Sequence, residues 1–122
     1  MNTSTKGHYQ ETIACEFLTT QGLQLVVRNY RCKFGEIDLI MNDVTLGAPE
    51  LVFVEVRSKA NPNHGHALET VTRSKQYKLN KTATWYLIEK DLYNTIPCRF
   101  DMIAIHEHGT PERIEWIKNA IQ

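Results

Sequence analysis

Apolar residues recur at helical spacing between Lys6 and Gln21, with Tyr9, Ile13 and Phe17 along one line and Ala14 and Leu18 beside it. Gly22 follows, where a residue tolerant of the left-handed conformation ends a helix. The pattern then changes. Leu23-Gln24-Leu25-Val26-Val27-Arg28-Asn29-Tyr30-Arg31 is rich in strand formers. Phe34-Gly35 reads as a turn, Glu36-Ile37-Asp38-Leu39-Ile40-Met41 as a second strand, and Asn42-Asp43 as the start of a loop running through Gly47-Ala48-Pro49. Leu51-Val52-Phe53-Val54-Glu55-Val56-Arg57 is the clearest strand of the chain, and Asn61-Pro62-Asn63-His64-Gly65 is a loop. From about Glu69 to Glu89, Val71, Leu79, Ala83, Tyr86 and Leu87 fit one face of a long helix. Arg99-Phe100-Asp101-Met102-Ile103-Ala104-Ile105 is a fourth strand, while Glu115-Trp116-Ile117 reads either as a short fifth strand or as a last helical turn.

The order is helix, three strands, helix, strand. Short connections among the first three strands predict an antiparallel meander, and the long helix predicts a crossover to a parallel neighbour. The expected fold class is α/β, a mixed sheet with helices packed on it. A chain of 122 residues fits one domain, taken as 1–122, with residues 1–5 a loose tail.

Alternation along the strands locates candidate chemistry. Val52, Val54 and Val56 share one face, and Leu51, Phe53, Glu55 and Arg57 share the other, which turns from apolar to charged; Lys59 continues it. On the preceding strand Ile37, Leu39 and Met41 oppose Glu36, Asp38 and Ile40. If Asp38 and Glu55 are cross-strand neighbours, their carboxylates lie within roughly 4–6 Å. At about 4 Å they repel by roughly 4 kcal/mol at an effective dielectric of 20. A hard cation, Mg²⁺ or Mn²⁺, would turn that repulsion into coordination. The simpler account of the residues alone is a solvated sheet face.

Composition adds limits. The chain is 42% hydrophobic and 23% charged, ordinary for a folded domain, and no apolar run is of membrane-spanning length. With no signal-peptide pattern, a cytoplasmic location is expected. Cys15, Cys32 and Cys98 form no CxxC pair, which argues against a disulfide framework or zinc ribbon. The formal net charge is zero, yet residues 57–81 carry Arg57, Lys59, Arg73, Lys75, Lys78 and Lys81 against Glu69 alone, a local +5. Such a patch can hold phosphates, although a solvated helix face explains the charge equally. His64-Gly65-His66 and His106-Glu107-His108 read as surface histidines, and Trp85 and Tyr86 as core.

Gly35-Glu36-Ile37-Asp38-Leu39-Ile40 followed by Phe53-Val54-Glu55-Val56-Arg57 resembles the D…ExK signature of the PD-(D/E)xK nuclease superfamily. Nearly the whole chain resembles the YraN-like family of endonuclease-like proteins, which is similar to archaeal Holliday-junction resolvases. Gly7-His8-Tyr9-Gln10-Glu11 with Ala14, Arg28-Asn29-Tyr30-Arg31, Lys75 with Leu79, and Arg99-Phe100-Asp101 complete that likeness. The resemblance implies a restriction-endonuclease-like core. It implies a Mg²⁺ or Mn²⁺ site made by Asp38, Glu55, the Val56 carbonyl and Glu11. It also implies a DNA partner, branched or single-stranded, and allows a homodimer. Arg57 stands where the superfamily has lysine. Arginine stays protonated, so it would act as a fixed cation, with Lys59 or Lys75 supplying the amine and Gln76 positioning water or phosphate. Arg57, Lys59, Arg73, Lys75 and Lys78 are the expected phosphate contacts. Asp101 is expected in a structural ion pair. Three readings follow: a metal-dependent endonuclease, a non-catalytic nucleic-acid-binding module with the same fold, and a protein-interaction domain.

Overall fold

The computed structural model describes residues 3–59, 72–106 and 113–121, with side chains from His8 onward and excepting that of Lys59. The expected loop at 61–65, the start of the long helix before Thr72, and His64, His66 and His108 lie outside the described residues. Chain order is α1 (Thr3–Thr20), β1 (Leu23–Cys32), β2 (Gly35–Asp43), β3 (Glu50–Lys59), α2 (Arg73–Glu89), β4 (Cys98–His106) and β5 (Arg113–Ile121).

The helix ends follow local rules. At the C-terminus of α1, Gly22 takes φ +99°, and its amide donates to the Thr19 carbonyl at 3.1 Å. A Cβ at Gly22 would meet Thr45 Cγ2 at 2.5 Å, so the loop after β2 also needs glycine there. α2 begins where Thr72, in extended conformation, accepts the Lys75 amide at 3.1 Å.

The sheet runs β1-β2-β3-β4-β5. β1, β2 and β3 form the expected antiparallel meander, and β3 pairs in parallel with β4 across the α2 crossover. Residues 113–121 form a full edge strand antiparallel to β4, which decides between strand and helical turn at 115–117. α1 begins at Thr3, so residues 3–5 are helical rather than tail. β2 runs to Asp43 rather than loosening at Asn42, because Asp43 is buried against Arg99 at 2.9 Å.

Both faces of the sheet are covered, so its central strands read as near-continuous apolar runs. Ala14 and Leu18 of α1 pack on Leu39, Met41, Val52, Val54, Ile103 and Ile105. Leu79, Ala83 and Tyr86 of α2 pack on Ile40, Leu51 and Phe53. Ile37 joins this second cluster rather than the face of Leu39 and Met41. At that end β2 is paired to β1 through Tyr30↔Ile37, and its ladder to β3 has already ended. Trp85 lies half-buried beside Phe34, outside both clusters, so of Trp85 and Tyr86 only Tyr86 is core.

Arg99 and Asp101 form the expected structural pair within a larger network. Arg99 Nε donates to both Asp101 oxygens, at 3.0 and 3.1 Å, and Nη1 donates to Glu50 Oε1 at 2.7 Å. Nη2 stands 2.9 Å from Asp43 Oδ2, an ion pair rather than an aligned hydrogen bond. Asp101 also accepts Trp116 Nε1 at 3.0 Å and the Asn119 amide at 3.1 Å.

Candidate active site

The ladder between β2 and β3 ends at Leu39↔Val54. One more step of the same register sets Asp38 opposite Glu55. There the Val56 amide donates to Asp38 Oδ2 at 2.8 Å, so a side-chain carboxylate takes the place of a strand carbonyl. Glu55 lies on the α2 face beyond Phe53 and is 8% exposed. Lys75, from the first turns of α2, sets its Nζ 3.3 Å from Glu55 Oε2. Asp38, Glu55, Val56, Arg57, Lys75 and Lys78 share the wall of a cavity of ≈ 480 Å³. It opens towards the C-terminal end of β3, the end of parallel strands at which α/β sheets bind ligands.

The electrostatics of this cavity are unbalanced. Burial pushes the Glu55 carboxyl up to about 7, the Asp38 charge adds to the rise, and Lys75 and Arg57 pull it back only in part. Burial likewise raises Asp38, against the stabilising Val56 amide, and Glu36 adds to the rise. Glu36 itself is exposed and paired with Arg31 at 2.9 Å, a surface role. Glu11 of α1 lies beside Asp38. Its carboxyl is raised by burial and by Asp38, with Asn29 and Arg28 opposing, and its Oε1 is buried without a hydrogen-bond partner among the described residues, 3.7 Å from Arg28 Nε.

The donors present suit a hard divalent cation. Asp38 and Glu55 share the wall with Val56, whose backbone carbonyl is a further oxygen donor. Among the described residues no three His, Cys, Asp or Glu side chains are grouped to hold a metal by themselves. The set is therefore two carboxylates plus backbone oxygen, with Glu11 behind Asp38 and off the cavity wall. Arg57 Nε and Nη2 are buried with no hydrogen-bond partner among the described residues.

The remaining expected residues fall in different places. Lys78 is on the cavity wall; Gln76 is half-buried beside Lys75 and off the wall; Arg73 is exposed at the start of α2. Lys59 continues β3 opposite His106. Thr82 escaped the sequence reading, and Gly35 and Asn29 entered it only as members of motifs. Thr82 is buried on the cavity wall, its hydroxyl donating to the Lys78 carbonyl at 2.8 Å, and it lies seven residues from Lys75 on the same helical side. Gly35 approaches it so closely that a Cβ would sit 3.1 Å from Thr82 Oγ1. Asn29, at φ 57°, lies beside Glu11 and opposes the rise of its carboxyl from within the Arg28-Asn29-Tyr30-Arg31 motif.

Among the described residues no helix is long and apolar enough to cross a membrane. Comparison with known proteins places this arrangement in a family. The pattern of the uncharacterised protein family UPF0102 matches residues 10–105, a span that contains Glu11, Asp38, Glu55 and Lys75. A UPF0102 protein of Vibrio cholerae serotype O1 is 47% identical over 122 residues, covering 99% of this chain and 95% of its own. One from Legionella pneumophila is 42% identical over 118 residues, covering 97% and 95%. One from Pseudomonas putida is 43% identical over 119 residues, covering 95% and 91%. The chain belongs to the uncharacterised protein family UPF0102, the YraN family that its motifs resemble.

Proposed function

We propose that this chain is a Mg²⁺- or Mn²⁺-dependent endonuclease that hydrolyses phosphodiester bonds in DNA, branched or single-stranded. The observation that carries the reading is the pairing of half-buried Asp38 with buried Glu55 on adjoining strands at one cavity wall. Asp38, Glu55 and the Val56 carbonyl would hold the cation, with Glu11 a further candidate from α1. When bound, the cation would polarise the phosphate and lower the pKa of water beside it.

The chain's own residues supply the rest. The Val56 amide fixes one Asp38 oxygen and so orients the carboxylate at the cavity wall. Lys75 supplies the amine in contact with Glu55, the role that lysine would hold at position 57. Arg57, whose Nε and Nη2 have no partner among the described residues, would offer a phosphate a fixed charge for the transition state rather than a base. Lys78 adds a second ammonium to the cavity wall.

The test is cleavage of branched, single-stranded and duplex DNAs with Mg²⁺ or Mn²⁺, by the parent and Asp38→Asn. Asp38→Asn should lose more than the roughly 10- to 100-fold that loss of an outer-shell partner costs. Cleavage that survives Asp38→Asn would refute the site. Salt-dependent DNA binding without cleavage would assign the chain to the non-catalytic binding module, the reading favoured by arginine at position 57.

A further inference from the structure

Helix α2 presents three stripes. Lys75, Lys78 and Thr82 face the candidate site, and Leu79, Ala83 and Tyr86 face the core. A third stripe is Tyr77, Lys81, Trp85 and Ile88, which would be polar on an ordinary solvent-facing helix side. With Phe34 from the β1–β2 turn it lines an apolar groove of ≈ 290 Å³. Tyr77 is 61% exposed and Ile88 53%. Phe34 and Trp85 meet edge to face, with centroids 5.8 Å apart. Lys33 Nζ stands 5.2 Å from the Phe34 ring and 5.1 Å from that of Trp85; Lys81 Nζ stands 5.1 Å from Phe34 and 5.2 Å from Tyr77.

We propose that this groove is a stacking platform for unpaired nucleotides of the strand whose phosphate enters the Asp38–Glu55 site. Exposed rings accept base faces, and ammonium groups beside them accept phosphates, the combination by which single strands are held without sequence preference. Bases in a duplex are already stacked and offer no free face to Tyr77. The groove also adjoins the site. Phe34 on its wall precedes Gly35 of the cavity, and Trp85 lies seven residues from Lys78 on the same helical side. A strand can therefore pass from Lys78, at the border of the site stripe, to Trp85 on the stripe beside it. This inference rests on the nuclease reading and adds that the substrate is unpaired beside the cut.

The test is binding without divalent cation, by anisotropy of a labelled oligothymidylate of about 12 nucleotides, within the site sizes of single-strand binders. The matching duplex is the control. Tyr77→Ala and Trp85→Leu should each weaken single-strand binding about 10-fold and leave duplex binding within about twofold, with melting of the exposed Tyr77→Ala unchanged. An oligouridylate arm shows whether the platform takes RNA as well as DNA. Equal single-strand affinity in Tyr77→Ala and parent overturns the platform and leaves the nuclease reading standing, provided duplex is bound. Absence of binding to every polynucleotide at low salt removes both. A parent dimer that Tyr77→Ala converts to monomer would give the groove to a second copy of this chain and also overturn the proposal.

Discussion

The Arg99 network and the Asp38–Glu55 cavity are two groups of buried charge on one sheet. Asp101 alternates with Ile103 and Ile105 on the α1 face, whereas Glu55 alternates with Phe53 and Leu51 on the α2 face. Their burial is similar: Asp101 is 2% exposed, Arg99 8% and Glu55 8%. Satisfaction differs. Arg99 touches three carboxylates, and Asp101 takes further donors from Trp116 and Asn119. Burial alone would raise Asp43, yet the Thr45 hydroxyl and amide and Arg99 bring it below the usual carboxylate range. Glu55 meets one half-exposed ammonium, and its pKa rises. Equal burial with unequal compensation separates a group that closes the fold from one that the proposed function would fill with a cation.

The largest expected effect breaks the first group. Arg99→Met would leave Asp43, Glu50 and Asp101 without their shared cation. Breaking a buried pair from one side costs about 3–5 kcal/mol, and three carboxylates share this one. Thermal melting should show the loss, while Lys75→Met, at the half-exposed partner of Glu55, should shift melting far less. Equal shifts would erase the distinction between the two groups.

The next effect is a pH dependence of opposite sign at the two groups. Glu55 holds its proton to about 7 in the native state, against 4.5 as the ordinary value. The native state therefore binds more protons than the unfolded chain across that window, and its stability falls as pH rises through it. At 1.36 kcal/mol per pKa unit the fall is at most about 3 kcal/mol. Asp43 acts the other way: its contribution is present above the ordinary 3.8 and is lost as pH drops through its depressed value. Melting of the metal-free protein from pH 4.5 to 8 should show the Glu55 slope, Glu55→Gln should flatten it, and saturating Mg²⁺ should offset it. An undiminished slope in Glu55→Gln would place its origin elsewhere, at the raised carboxyls of Asp38 and Glu11.

The sequence carried much of the fold because its central strands are long apolar runs bounded by turn residues. The meander and crossover followed from connection lengths alone. Alternation also set Glu55 and Arg57 on the face that turns charged, and family likeness paired Glu55 with Asp38. What stayed hidden depends on distances across the chain. Asp43 looked like a loop residue because its partner, Arg99, lies 56 positions away. Trp85 looked like core because periodicity does not show that Phe34 leaves it half outside. Thr82 was legible in principle, at helical spacing from Lys75 and Lys78, but a lone threonine among lysines carries no chemical signal.

The smallest expected effect sharpens the comparison at its two arginines. Arg99 spends its guanidinium on three carboxylates of its own chain, whereas Arg57 keeps Nε and Nη2 without a partner among the described residues. If Arg57 awaits a phosphate, Arg57→Ala should slow cleavage by roughly 10²-fold, the scale of losing one preorganised donor in a dry site. Its pH profile should keep its shape, because a guanidinium does not titrate in the working range. Arg57→Lys should retain or raise the rate, since lysine completes the D…ExK signature that these strands resemble and keeps the charge on the cavity wall. Melting should barely respond to either change, in contrast to Arg99→Met. Cleavage rates measured across pH for Arg57→Ala, Arg57→Lys and the parent decide the matter. A titration limb lost in Arg57→Ala would make position 57 part of the proton-transfer machinery. An Arg57→Lys enzyme as slow as Arg57→Ala would mean that the planar fork, and not the charge, binds the phosphate.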